Sequence, residues 1–195
     1  MNPITVKTYI PKTSSSKTAF IVLIPNTSNS EEILNHPDLN KEALNAHHLI
    51  LSIDAGTPIH EIHAEIQEAF ETLKTLGTEF SKINLLAFSY CSSAATSFLF
   101  LHPHTFSSVT LITPSCQNAG SDPYHPLNMI ETITTPIDAK LIFILGHDDE
   151  TCPLSESFFF IKQLEPIIQT EVYMLGGDDS INAWISHINH YLTLI

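Results

Sequence analysis

Apolar residues return along this chain in two patterns, short near-continuous runs and longer stretches with a spacing of three to four. The runs at 19–24 (AFIVLI), 83–87 and 141–145 predict strands buried on both faces, and those at 49–53, 109–113 and 171–175 predict further strands. Ile4, Val6 and Tyr9 alternate with polar residues and predict an edge strand. Between the runs, Ile62, Ile66, Ala69, Phe70, Leu73 and Leu76 recur at helical spacing over 59–77, while Glu61, Glu65, Glu68 and Glu71 fall on the opposite side. Further helical faces are Ala94, Ala95, Phe98, Leu99 and Leu101; Phe158, Ile161 and Leu164; and, near the end, Ile181, Trp184, Ile185, Ile188, Tyr191 and Leu192. A short helix is expected over 38–46 and another over 127–133. Strand and helix alternate throughout, so the pattern predicts an α/β domain with a predominantly parallel sheet covered by helices on both faces.

Composition narrows the class without changing that picture. The 195 residues are 43% hydrophobic and 15% charged, which suits one domain over 1–195 with a substantial core and argues against disorder. The net charge is −13, and all eight basic residues are lysines. Without arginine the chain lacks the bidentate forks that read phosphate and guanine, so no nucleic-acid partner is expected. No apolar run is long enough to span a bilayer and the first residues lack the pattern of a secretory leader, so no membrane insertion and a cytoplasmic location are expected. Cys91, Cys116 and Cys152 are widely spaced, which fits reduced thiols better than a disulfide framework or a zinc site. The first buried strand is not followed by a glycine-rich phosphate loop, and His147, Asp148, Asp149, Asp178 and Asp179 follow no metal-ligand spacing, so no cofactor or metal is expected. An exposed edge strand or an uncovered pocket rim leaves a homodimer open.

The candidate chemistry gathers where the run at 83–87 meets the helix that begins near Cys91. Ser89 occupies that corner, at the carboxyl end of a central strand, where open α/β sheets form clefts and a helix start offers unpaired N–H groups. Ala87-Phe88-Ser89-Tyr90-Cys91 resembles the Gly-x-Ser-x-Gly elbow of the α/β-hydrolase superfamily, with alanine and cysteine in place of the glycines. A second likeness is the loop Gly146-His147-Asp148-Asp149-Glu150-Thr151-Cys152-Pro153, which is similar to the acid loop of that family and places the acid on Asp149, with Asp148 one residue away.

The resemblance implies an α/β-hydrolase-like fold over nearly the whole chain, with a minimal lid or none. It implies Ser89 as nucleophile, Asp149 as the group that orients an imidazole, and main-chain N–H groups of Tyr90 and of the loop after residue 24 as oxyanion donors. Pro25 has no N–H, so Asn26 or Thr27 takes the second donor role, and Asn26 comes first. The family's catalytic histidine aligns with Asp179 here, a poor base at neutral pH. His147 is the nearest histidine in the inferred topology, with His125 and His187 as alternatives. Cys91 lies two residues past the nucleophile position, so it reads as a small core residue before it reads as a reactive thiol. Two functions stay open: hydrolysis of a small carboxylic ester or thioester through an acyl-enzyme, and a hydrolase-like binding or scaffold protein whose catalytic set has decayed.

Overall fold

A computed structural model describes residues 4–9, 17–26, 47–76, 80–115, 120–147 and 153–175. Their strands form a seven-stranded sheet in the order β1-β3-β2-β4-β5-β6-β7: β1 Thr5–Tyr9, β2 Thr18–Pro25, β3 His47–Ile53, β4 Lys82–Phe88, β5 Ser108–Ile112, β6 Lys140–Gly146 and β7 Thr170–Leu175. Strands β2 to β7 are mutually parallel, and β1 runs antiparallel along β3 at the edge. Each apolar run of the sequence is therefore a strand of one sheet, with β7 at its edge, where Val172, Tyr173 and Met174 are exposed. Val22 pairs with both Ile50 and Leu86, and Leu111 pairs with Phe143, so the central register brings the apolar runs side by side.

Four α-helices lie among the described residues: α1 Ile59–Thr75, α2 Cys91–Leu101, α3 Pro126–Met129 and α4 Leu154–Leu164, with a 3₁₀ turn at Ile130–Thr132. They pack with one face of the sheet, that of Ile21, Leu23, Leu85, Ala87, Leu111 and Phe143. The other face is buried too, through Phe20, Ile24, Leu86, Ile112 and Ile144. The helices expected over 38–46 and 181–192 lie outside the described residues.

The structure corrects two expectations about packing. Helical spacing turns Phe158 inward, but it is 45% exposed; Phe160, at 5%, takes the inward place and meets Phe143 edge to face at 6.2 Å. The buried side of α4 is Ser157, Phe160, Ile161 and Leu164, a spacing of three, one and three that includes a polar residue, and three successive phenylalanines hide that phase in the sequence. Leu101, expected on the apolar face of α2, is half exposed at the last turn of the helix.

Apolar periodicity also passes over His63, which is buried on the inner side of α1. Its Nε2 lies 2.8 Å from Ser97 Oγ and 3.1 Å from the Ala94 carbonyl, both on α2. The ring meets Phe98 and Tyr124 edge to face. Burial pushes its pKa from 6.5 down to about 4, so the folded protein holds the ring neutral where the unfolded chain would protonate it. A depressed folded pKa makes the contribution complete above pH 6.5 and progressively lost as pH falls toward 4. The loss should reach at most about 3 kcal/mol, less where water reaches the ring. Urea titrations at pH 7.5 and pH 4.5 should show a larger acid loss in the wild type than in His63→Asn; equal losses would contradict the assignment.

Candidate active site

The corner between β4 and α2 is built by the backbone before any side chain acts. Ser89 has φ of +50°, a left-handed conformation that a residue with a Cβ adopts at a cost of about 1–3 kcal/mol. Its surroundings hold it there. The Ser89 N–H donates to the Ile112 carbonyl at 2.9 Å, and the Ser89 carbonyl accepts from Ser92 N–H at 3.0 Å and Ser115 N–H at 3.3 Å. The hydroxyl is thus carried on a turn fastened to β5, the loop beyond it and the first turn of α2. Thr113, just past β5, also has positive φ, at +40°, and its N–H donates to the Ile144 carbonyl at 3.0 Å. Adjacent strands therefore both turn sharply at this edge of the sheet.

Small residues behind the corner permit the close approach. Ala94 and Ala95 are fully buried, and Cys91 sits among them with its thiol inside the core. Burial pushes that thiol's pKa strongly upward, so Cys91 is a packing residue and no thiolate nucleophile. A cysteine in place of the elbow's second glycine is accommodated because its side chain points into the core.

Tyr90 N–H, directly before α2, has no hydrogen-bond partner among the described residues. Among the described residues this main-chain donor beside Ser89 is therefore open, as the first N–H groups of a helix are. Asn26 differs from the expectation. It stands at the end of β2, next to β4, but its N–H donates to the Ile53 carbonyl at 2.6 Å. The reason is the parallel pairing of β2 with β3, whose ladder continues one residue past Pro25. The Asn26 side chain is also engaged, with Nδ2 donating to Asp54 Oδ1 at 2.5 Å. The same Ile53 carbonyl accepts the Tyr90 hydroxyl at 2.5 Å, a contact that sequence spacing does not reveal.

The imidazoles are more dispersed. His147 follows β6 directly, two strands from β4, and is exposed. No imidazole bonds Ser89 Oγ among the described residues. His125 is buried, and its Nδ1 accepts the Leu127 N–H at 3.3 Å, capping α3; that ring nitrogen is occupied in helix capping. Asp148, Asp149, Asp178, Asp179, His187, His190, Cys116 and Cys152 lie outside the described residues. No cluster of three or more histidine, cysteine, aspartate or glutamate side chains suited to a metal occurs among the described residues, and no described helix is long and apolar enough to cross a membrane. An open cleft of about 580 Å³, lined by Phe70, Lys74, Phe80, Ile83, His104 and Phe106 among others, sits at the amino ends of β4 and β5, the edge opposite Ser89.

No protein-family model and no curated protein matches the sequence. Solved structures do match the fold. The chain is similar to FphF, a fluorophosphonate-binding serine hydrolase of Staphylococcus aureus, at 11% identity and a TM-score of 0.76, covering 99% of this chain and 98% of that one. It is similar to the S-formylglutathione hydrolase FrmB of Staphylococcus aureus at 13% identity and a TM-score of 0.74, covering 98% and 97%. Est1E from Butyrivibrio proteoclasticus matches at 10% identity and a TM-score of 0.69, covering 98% and 93%. With its parallel sheet, its strand order and a serine on a strained strand-to-helix corner, the chain has the fold of the α/β-hydrolase superfamily.

Proposed function

We propose that the protein is a serine hydrolase that cleaves a small carboxylic ester or thioester through an acyl-enzyme. The observation that carries this reading is the positive φ of Ser89 at the carboxyl end of a central parallel strand. An ordinary helix start needs no such strain, and strained residues with a Cβ concentrate at functional sites. Ser89 Oγ attacks the carbonyl carbon, the imidazole of His147 takes its proton, and the Tyr90 N–H faces the oxygen that becomes negative. Asp149 orients the imidazole. Collapse of the tetrahedral intermediate expels the alcohol or thiol, which receives the proton, and water then repeats the sequence on the acyl-serine. The segment between β5 and β6 carries only the short helix α3 and a 3₁₀ turn among its described residues, which suits an open site for small acyl groups.

The second reading, a binding or scaffold protein on a hydrolase fold, draws on the absence of any imidazole bonded to Ser89 Oγ among the described residues. A fluorophosphonate probe separates the two. Stoichiometric labelling, mapped to Ser89 by peptide mass spectrometry, is the expected result. An unlabelled, folded protein that also fails to turn over p-nitrophenyl acetate would support the binding reading.

A further inference from the structure

The Ile53 carbonyl, at the end of β3, accepts two hydrogen bonds, from Asn26 N–H at 2.6 Å and from the Tyr90 hydroxyl at 2.5 Å. One of these donors is the candidate second oxyanion N–H; the other belongs to the residue that follows the nucleophile. We infer that Tyr90 acts through its side chain as a positioning residue, its hydroxyl keeping the Ile53 carbonyl satisfied so that Asn26 N–H can turn to the oxyanion. The inference rests on the serine-hydrolase reading and adds to it a switch between a resting and a working arrangement of the oxyanion site.

In the resting arrangement Asn26 N–H is bonded to a neutral carbonyl. A developing oxyanion is a stronger acceptor, since hydrogen bonds to charged groups are roughly twice as strong as neutral ones. The transfer leaves the Ile53 carbonyl without Asn26, and a buried carbonyl with no partner is costly. Tyr90 removes that penalty by remaining in place. Its phenol suits this role, because burial pushes its pKa up to about 12, against a smaller opposing pull from the Asn26 N–H, and the hydroxyl stays a donor throughout the neutral range. The side chain also ties the corner at Ser89 to the carboxyl end of β3. The Asn26 amide, held by Asp54 Oδ1, anchors the side chain while the main chain turns.

Tyr90→Phe keeps the ring and deletes only the hydroxyl. In that variant the release of Asn26 N–H strands the Ile53 carbonyl, so the oxyanion loses a donor or gains it at a penalty. With p-nitrophenyl acetate, acylation and deacylation both pass through a tetrahedral oxyanion, so both should slow together. The expected result is a fall in kcat of about 5- to 150-fold with KM nearly unchanged, and a similar fall in the labelling rate of Ser89 by a fluorophosphonate. A purely structural role would instead lower the melting temperature and leave kcat intact in the folded protein. The exchange rate of the Asn26 amide, followed by NMR, supplies a readout that needs no activity. It should slow in Tyr90→Phe, because Asn26 is then the carbonyl's remaining partner. With a wild type that labels at Ser89, unchanged kcat or unchanged Asn26 exchange in Tyr90→Phe would overturn the role of Tyr90 alone; a wild type that neither labels nor turns over ester would overturn the hydrolase reading itself.

Discussion

Ser89→Ala is expected to reduce p-nitrophenyl acetate turnover at least about 10³-fold and to abolish fluorophosphonate labelling, with the fold intact. The hydroxyl contributes no hydrogen bond to the described structure, so its removal deletes the nucleophile without stranding a partner. Alanine retains the Cβ and therefore retains the strain at φ of +50°. Glycine does not. Ser89→Gly should be equally inactive, yet more stable than Ser89→Ala, by about 0.5–1 kcal/mol in denaturant titration, because the left-handed conformation is free for glycine. An inactive glycine variant less stable than the alanine variant would mean that the corner is not strained. His147→Ala addresses the other half of the proposed mechanism, and a general base typically contributes about 10²–10⁴-fold. If Ser89→Ala is inactive and His147→Ala is not, the proton goes to another group, and His187→Ala is the next variant to measure.

Phe143→Ala is expected to destabilise the fold by about 3–5 kcal/mol, the largest stability effect of a single change proposed for this chain. The ring is fully buried on β6, between β5 and β7, with Phe160 of α4 edge on at 6.2 Å. A mid-sheet strand held by ladders on both sides has little freedom to collapse into the space that the ring leaves, so both the transfer and the cavity components apply. For a chain of this size the melting temperature should drop by about 6–20 °C. Phe159→Ala, on the outward side of α4 and 59% exposed, should change stability by no more than about 0.5 kcal/mol. A loss at Phe159 equal to that at Phe143 would contradict the rotation assigned to α4.

The contrast between those two phenylalanines marks how far the fold is legible in the chain. The runs at 19–24, 83–87 and 141–145 announce strands because a buried parallel strand is apolar on both faces, and that property needs no knowledge of neighbours. Helix α1 is legible for the related reason that a wide apolar stripe opposes a row of glutamates. The phase of α4 is not, since its buried side includes Ser157 and its exposed side Phe158 and Phe159. Nor is the burial of His63, whose place in the core depends on Ser97, 34 residues further on.

At the candidate site the division is the same. The local order of residues places Ser89 at the end of a strand and the start of a helix, and the Tyr90 N–H, unpaired among the described residues, follows from the way any helix begins. Its positive φ, by contrast, is held by Ile112 and Ser115, which reach it only through the β4–β5 pairing. Asn26 can be named from its position after β2, but the β2–β3 register decides that its N–H rests on Ile53. The Tyr90 hydroxyl meets that same carbonyl across 37 residues. Apolar periodicity is written into consecutive residues, because each buries its own side chain; a hydrogen bond needs a donor and an acceptor brought within about 3 Å, and for residues this far apart only strand order and register decide which ones meet.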